Sequence, residues 1–141
     1  MAVRQASEVL QVFTQGRGLV EITEAVSDWI RRQQMRTGLL TLFCRHTSAS
    51  LLIQENADPD VQRDLETYFA TIAPEDPDRY RHDAEGPDDM PAHIRSALTQ
   101  TQLGIPLIDG RLALGTWQGI YVFEHRREGS ARQMAMHLIG E

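Results

Sequence analysis

The last third of the chain constrains the fold most, because its residues repeat with a period of two. Arg132, Met134, Met136 and Leu138 alternate with Gln133, Ala135, His137 and Ile139, the pattern of a strand that turns one face to a core. His137 therefore reads as a sheet residue and not as a ligand. Upstream, Leu103 to Ile108 and Arg111 to Leu114 flank Asp109-Gly110, a pair that tolerates positive φ and so favours a tight hairpin. Thr116 to His125 supplies a further strand, and Glu128-Gly129-Ser130 separates it from the last one. Four strand-like runs joined by short turns predict an antiparallel sheet.

The remainder mixes periods. Val9 to Phe13 and Gly18 to Ile22 read as short strands joined by a turn at residues 15–18, with Thr23 positioned to cap a helix over 24–34 that Gly38 stops. Leu39 to Arg45 and Ser50 to Glu55 read as two more strands. Asp58-Pro59-Asp60 combines an N-cap carboxylate, a proline at the first helical position and an acid in the first turn, which predicts a helix that ends near Ala70. Residues 73–89 are dominated by Pro, Asp, Glu and Gly, and Pro91 can open a short helix through Leu98. The sum is an α+β fold: one compact domain over residues 1–141, a largely antiparallel or mixed sheet, two to three helices and no internal repeat.

A chain of 141 residues, 41% hydrophobic, can bury a core of its own. It has no run long and apolar enough to span a bilayer and no leader-like start, and Cys44 is its only cysteine. A cytoplasmic protein without disulfides is expected. The net charge of −6 has the wrong sign for a protein that draws affinity from a nucleic-acid backbone. Local arginines remain: Arg111, Arg126, Arg127 and Arg132 crowd the C-terminal third, where they could meet a small anion or simply line a solvated sheet edge.

Three histidines stand in polar, turn-rich segments: His46, His82 and His93, separated by 36 and 11 residues. That spacing matches no standard zinc module, so a shared site would have to be assembled by the fold. Three neutral imidazoles with an open position make a catalytic zinc arrangement, in which the metal acts as a Lewis acid or activates water. Asp83, Asp88 and Asp89 could orient these ligands or bind a harder cation such as magnesium. Thr47, Ser48 and Ser50 offer hydroxyls beside His46 that suit anion binding better than nucleophilic attack, since no elbow exposes a serine. Trp117, between glycines and beside Gln118, could stack on a planar ring or pack in a core or subunit contact. Glu124 and Arg126 fall on one strand face, which gives either an ion pair or a carboxylate acid/base beside an anion-binding arginine.

Four ordered motifs also carry a resemblance: His46-Thr47-Ser48-Ala49-Ser50 with Asn56 and Asp58; His82-Asp83-x-Glu85-Gly86-x-Asp88-Asp89-Met90-Pro91-x-His93; Gly110-Arg111 with Gly115-Thr116-Trp117-Gln118-Gly119; and Glu124-His125-Arg126. Together, from about residue 16 to the end, they resemble the YjbQ family, close to its enterobacterial type. The resemblance implies a compact α+β protein that assembles as a homotrimer, a metal site near the histidines and thiamine-phosphate synthase activity. In these terms His46, His82 and His93 are the expected metal ligands, zinc the expected metal, and magnesium the alternative with a pyrophosphate substrate. Glu124, Arg126 and Asp83 are the expected catalytic groups. Thr47, Ser48, Ser50, Asn56, Arg111, Trp117, Gln118 and Arg132 are expected to bind a small phosphorylated substrate. Hydrolysis of a phosphate or ester, with water replacing the thiazole as nucleophile, and metal or metabolite binding without turnover are the alternatives.

Overall fold

The computed structural model describes residues 2–141. Eight strands and three helices follow in order: β1 (Arg4–Phe13), β2 (Gly18–Glu21), α1 (Thr23–Gln33), β3 (Gly38–Cys44), β4 (Ala49–Glu55), α2 (Pro59–Ile72), α3 (Asp89–Leu98), β5 (Gln102–Ile108), β6 (Arg111–Leu112), β7 (Gln118–Glu124) and β8 (Ala131–Gly140). A single 3-10 turn, Pro77–Arg79, interrupts the acidic segment before α3. All strand pairs are antiparallel. They form a five-stranded sheet, β1-β8-β3-β5-β6, and a three-stranded sheet, β2-β7-β4.

The α+β expectation holds, and the local signals explain most of it. Asp58 caps α2 by accepting the Asp60 amide at 2.9 Å, with Pro59 at the first helical position. Asp109 and Gly110 take φ of 51° and 79°, so the β5–β6 hairpin turns where two left-handed residues permit it. The expected β1–β2 hairpin does not form. β1 pairs with β8 and β2 with β7, so residues 14–17 carry the chain from one sheet to the other. Thr23 is also not a cap: Ile22 takes that position, and the Thr23 hydroxyl donates to Glu21 and accepts from the Ile120 amide at 2.9 Å.

Alternation decides which faces meet. Leu40, Leu42, Leu103, Ile105, Leu107, Met134, Met136 and Leu138 from the larger sheet face Leu51, Ile120 and Val122 from the smaller one, and α1 adds Val26, Trp29 and Ile30 to the same core. The other face of the smaller sheet is covered by α2, whose Phe69 ring meets Phe123 edge-on at 5.4 Å. From Gly119 to Glu124 β7 is thereby buried on both faces, while Trp117 and Gln118 at its start are exposed. The uncovered apolar surface is the outer face of the larger sheet. There Val9, Ala135 and Phe43 form one cross-strand row, and Ile139, Leu39 and Pro106 another. Among the described residues no helix is long and apolar enough to cross a membrane.

Candidate metal centre

α3 begins at Asp89, two residues before the expected proline, and that offset builds the site. On a helix Asp89 and His93 are four residues apart and share a face. The turn before α3 folds back through the Gly86 amide bonded to the Asp83 carbonyl, and it brings His82 and Glu85 to the same place. His82, Glu85, Asp89 and His93 each offer a ligand atom within 4.8 Å of the others. Asp89 is the hub and is 2% exposed. Its Oδ2 lies 2.6 Å from His82 Nε2 and 3.1 Å from His93 Nε2, and its Oδ1 accepts from Arg126 at 2.6 Å.

The protons on His93 follow from its other nitrogen. Nδ1 lies 3.0 Å from the Thr47 carbonyl oxygen, which can only accept, so Nδ1 carries the hydrogen. In the neutral ring Nε2 then presents a bare lone pair to a carboxylate oxygen. Two lone pairs at that distance repel unless a proton or a metal cation stands between them. The Thr47 carbonyl thus plays the orienting part that metal-bound imidazoles commonly receive from an outer acceptor.

Arg126 holds the carboxylates rather than waiting for a substrate. Its Nε donates to Asp88 Oδ2 at 3.0 Å, one terminal nitrogen to Asp89, and the other to Asp88 Oδ1 at 3.3 Å and the Glu85 carbonyl at 2.9 Å. Four of its five N–H groups are engaged. Burial opposes charge on Asp88, yet the bonds from Arg126 and the Arg127 amide hold its carboxyl below the usual range. Asp89 is lowered likewise, with the His82 bond the largest effect against burial. Hydrogen bonding to Asp88 in turn raises Arg126.

The remaining expected residues divide. His46 is not in the metal group: its Nε2 accepts the Gln133 amide at 2.8 Å, which leaves the ring hydrogen on Nδ1. Burial, then Arg132, lowers its pKa and favours this neutral form. His46 does share a cavity of about 580 Å³ with His93, Phe43, Arg45, Ser96 and Thr101. Glu124 is fully buried and accepts from Arg132, Thr14 and the amides of His125 and Arg126. With its lone pairs occupied it joins the ends of β1, β7 and β8 and is not placed to exchange protons with a substrate. Arg132 is buried with it and also donates to Ser48 Oγ at 3.0 Å. Ser50 is buried between His125 Nε2, at 2.9 Å, and the Thr99 hydroxyl, at 2.6 Å. Asp83 is exposed and contributes a backbone carbonyl, outside the metal group.

Asn56 and Trp117 meet through a backbone bond of 3.0 Å, with Trp117 63% exposed, while the Gln118 side chain accepts the Gly115 amide at 2.8 Å. Arg111 lines a different cavity, beside Arg31 and Arg36. The fold thus separates Arg111 from the other arginines of the C-terminal third, whereas Arg126 and Arg132 line one small cavity with Ser48 and Ser130. Glu85 is the member of this group that the sequence reading did not name, and the signal that joins Asp89 to His93 is their four-residue spacing on α3.

A profile of the family described as UPF0047 protein YjbQ-like matches residues 8–141. The UPF0047 protein sll1880 of Synechocystis is 53% identical over 98% of this chain and 94% of its own length. The UPF0047 protein YjbQ of Salmonella typhimurium is 45% identical over 89% and 91%. A conserved hypothetical protein from Thermus thermophilus, solved as a crystal structure, superposes with a TM-score of 0.81 at 36% identity, covering 92% of this chain and 97% of that one. A YbjQ-like protein of unknown function from Sulfolobus solfataricus shares the fold at a TM-score of 0.90 and 20% identity, over 99% and 100% of the two chains. The fold, the motifs and these relatives agree, and the chain belongs to the YjbQ/UPF0047 family.

Proposed function

We propose that this chain is a cytoplasmic, metal-dependent enzyme acting on a phosphorylated heterocycle, joining a pyrimidine pyrophosphate to a thiazole phosphate with release of pyrophosphate. The observation that carries the reading is the meeting of His93 Nε2, on a ring held at Nδ1 by the Thr47 carbonyl, with the buried Asp89 carboxylate and His82. Two imidazoles and two carboxylates suit zinc, and their oxygen donors also admit magnesium or manganese. A divalent cation held by His82, Glu85, Asp89 and His93 supplies Lewis acidity toward phosphoryl oxygens.

The chain's own groups do the positioning. Arg126 fixes Asp88 and Asp89, and the cavity that includes His93 is of a size to receive a ring-bearing substrate. His46 offers an N–H donor from Nδ1 and Arg45 a cation at that cavity. Hydrolysis is the second reading, because Arg126 spends four N–H groups on its own chain and leaves little to receive a departing pyrophosphate.

The uncovered rows of Val9, Ala135 and Phe43 and of Ile139, Leu39 and Pro106 support assembly through the outer face of the larger sheet, as a homotrimer. Incubating purified protein with both substrates and zinc, magnesium or manganese, and analysing products by mass spectrometry, tests the reaction. Thiamine phosphate is the expected product. Release of phosphate from one substrate alone would replace synthesis by hydrolysis, and binding without product would reduce the protein to a binding module. Light scattering reads the assembly, with a monomer as the result that removes it.

A further inference from the structure

We propose that the cavity between α1 and the β5–β6 hairpin is a second ligand site, made for a small anionic molecule with an apolar body. The cavity measures about 550 Å³ and shares no lining residue with the one beside His93, a size in the range of small-molecule sites. Its chemistry is divided. Ile30, 2% exposed, and the partly buried Leu112 and Leu114 give it an apolar side continuous with the core. Arg31, Arg36 and Arg111 line it with one acid, Asp109, and a second acid, Asp28, pairs with Arg31 beside it.

Charge complementarity selects the occupant. The chain as a whole carries −6, yet this cavity gathers three of its fourteen basic residues from three separate elements. Arg31 pairs along its helix with Asp28, and Arg36 lies a loose 3.7 Å from Asp109. Arg111 takes part in none of the ion pairs among the described residues. Guanidinium forks favour phosphate, sulfonate and carboxylate, and an apolar side beneath them favours a ring or short chain attached to that group. The walls are set before any ligand arrives. Gly110 donates to the Arg36 carbonyl at 2.9 Å and the Arg36 amide donates to Glu141 at 2.8 Å, while the left-handed Asp109-Gly110 turn fixes where Arg111 leaves the hairpin. The site stands independently of the metal centre, so either reading can fail without the other.

The test is a fluorescence titration of the full chain with 8-anilinonaphthalene-1-sulfonate and with N-phenyl-1-naphthylamine, which has the same rings without the sulfonate. The sulfonate is expected to bind saturably at one per chain and to weaken as salt rises, with the uncharged twin at least about tenfold weaker. Arg36→Ala and Arg111→Ala should each raise the Kd about tenfold, with Arg111→Lys intermediate and Arg63→Ala, on exposed α2, unchanged. Because the outer sheet face can also take up dye, the titration is repeated in Phe43→Ser, where the arginine-dependent phase should persist. Equal binding of the two probes, or arginine variants that bind like the wild type, would overturn the proposal. So would a cavity closed to both probes and a change of oligomeric state in Arg111→Glu, which would make a second copy its occupant.

Discussion

Lowering the pH should destabilise this protein through His125 well before its carboxylates protonate. The ring is 0% exposed, 2.9 Å from Ser50 Oγ and 4.4 Å, centroid to centroid, from Phe123. Burial first, and then the nearby Arg95 guanidinium, push its pKa down from 6.5 to about 3. Between those values the unfolded chain binds a proton that the folded chain refuses, so stability is fully present above pH 6.5 and falls as the pH drops toward 3. From pH 6.5 to pH 5 the loss is about 2 kcal/mol, at 1.36 kcal/mol per pH unit. Urea unfolding in the presence of a chelator at pH 7, 6 and 5, for the wild type and for His125→Gln, reads it. Glutamine keeps a polar atom near the Nε2 position but cannot titrate, so its stability should fall less over the same interval, by about 2 kcal/mol. His46, also lowered by burial, acts in the same direction in both proteins and cancels in the difference. Equal pH dependence in the two would refute the argument that His125 remains neutral in the fold.

Elemental analysis after metal loading should show occupancy lost in Asp89→Asn and His93→Ala but kept in His46→Ala, whose Nε2 is committed to the Gln133 amide. Arg126→Ala should weaken metal binding without abolishing it, seen as a raised Kd in a competition titration, because Asp88 and Asp89 lose their common clamp. Gly129→Ala should cost about 1–3 kcal/mol in urea unfolding, since a Cβ there would clash with the Thr14 carbonyl, whereas Gly104→Ala, whose nearest contact is 3.9 Å, should be nearly neutral. Asp58→Ala should cost about 1 kcal/mol through the lost cap of α2.

Local chemistry was legible where it acts locally. The α2 cap and the Asp109-Gly110 turn depend on a few adjacent residues and came through with nearly correct bounds. Whether β1 and β2 pair was not legible, because a short connection between two strands is equally compatible with a hairpin and with a crossing between sheets. The grouping at the candidate site was legible only in part, for the same reason. His46, His82 and His93 were grouped as polar histidines in matching motifs, and the structure gives His46 a backbone amide 87 residues away as its partner. Asp89 was read, with Asp83 and Asp88, either as orienting the histidines or as binding a harder cation, and a helix started at Pro91 left it off the His93 face. Begun two residues earlier, that helix places Asp89 and His93 on one face. The outward rows of the larger sheet were visible as alternation, but alternation cannot say which of its two faces meets the core.

The contact between His93 and residue 47 has a genetic consequence. The acceptor is the carbonyl of Thr47, an atom every amino acid possesses, so side-chain replacement at 47 leaves the bond available. A scan of single substitutions would therefore score this position as indifferent to the metal binding proposed above. A one-residue insertion or deletion between Cys44 and Ala49 would move the carbonyl and release the His93 ring from its present orientation. The site is tied to the length of this loop more than to its spelling, and it will look robust to point mutation while being sensitive to indels.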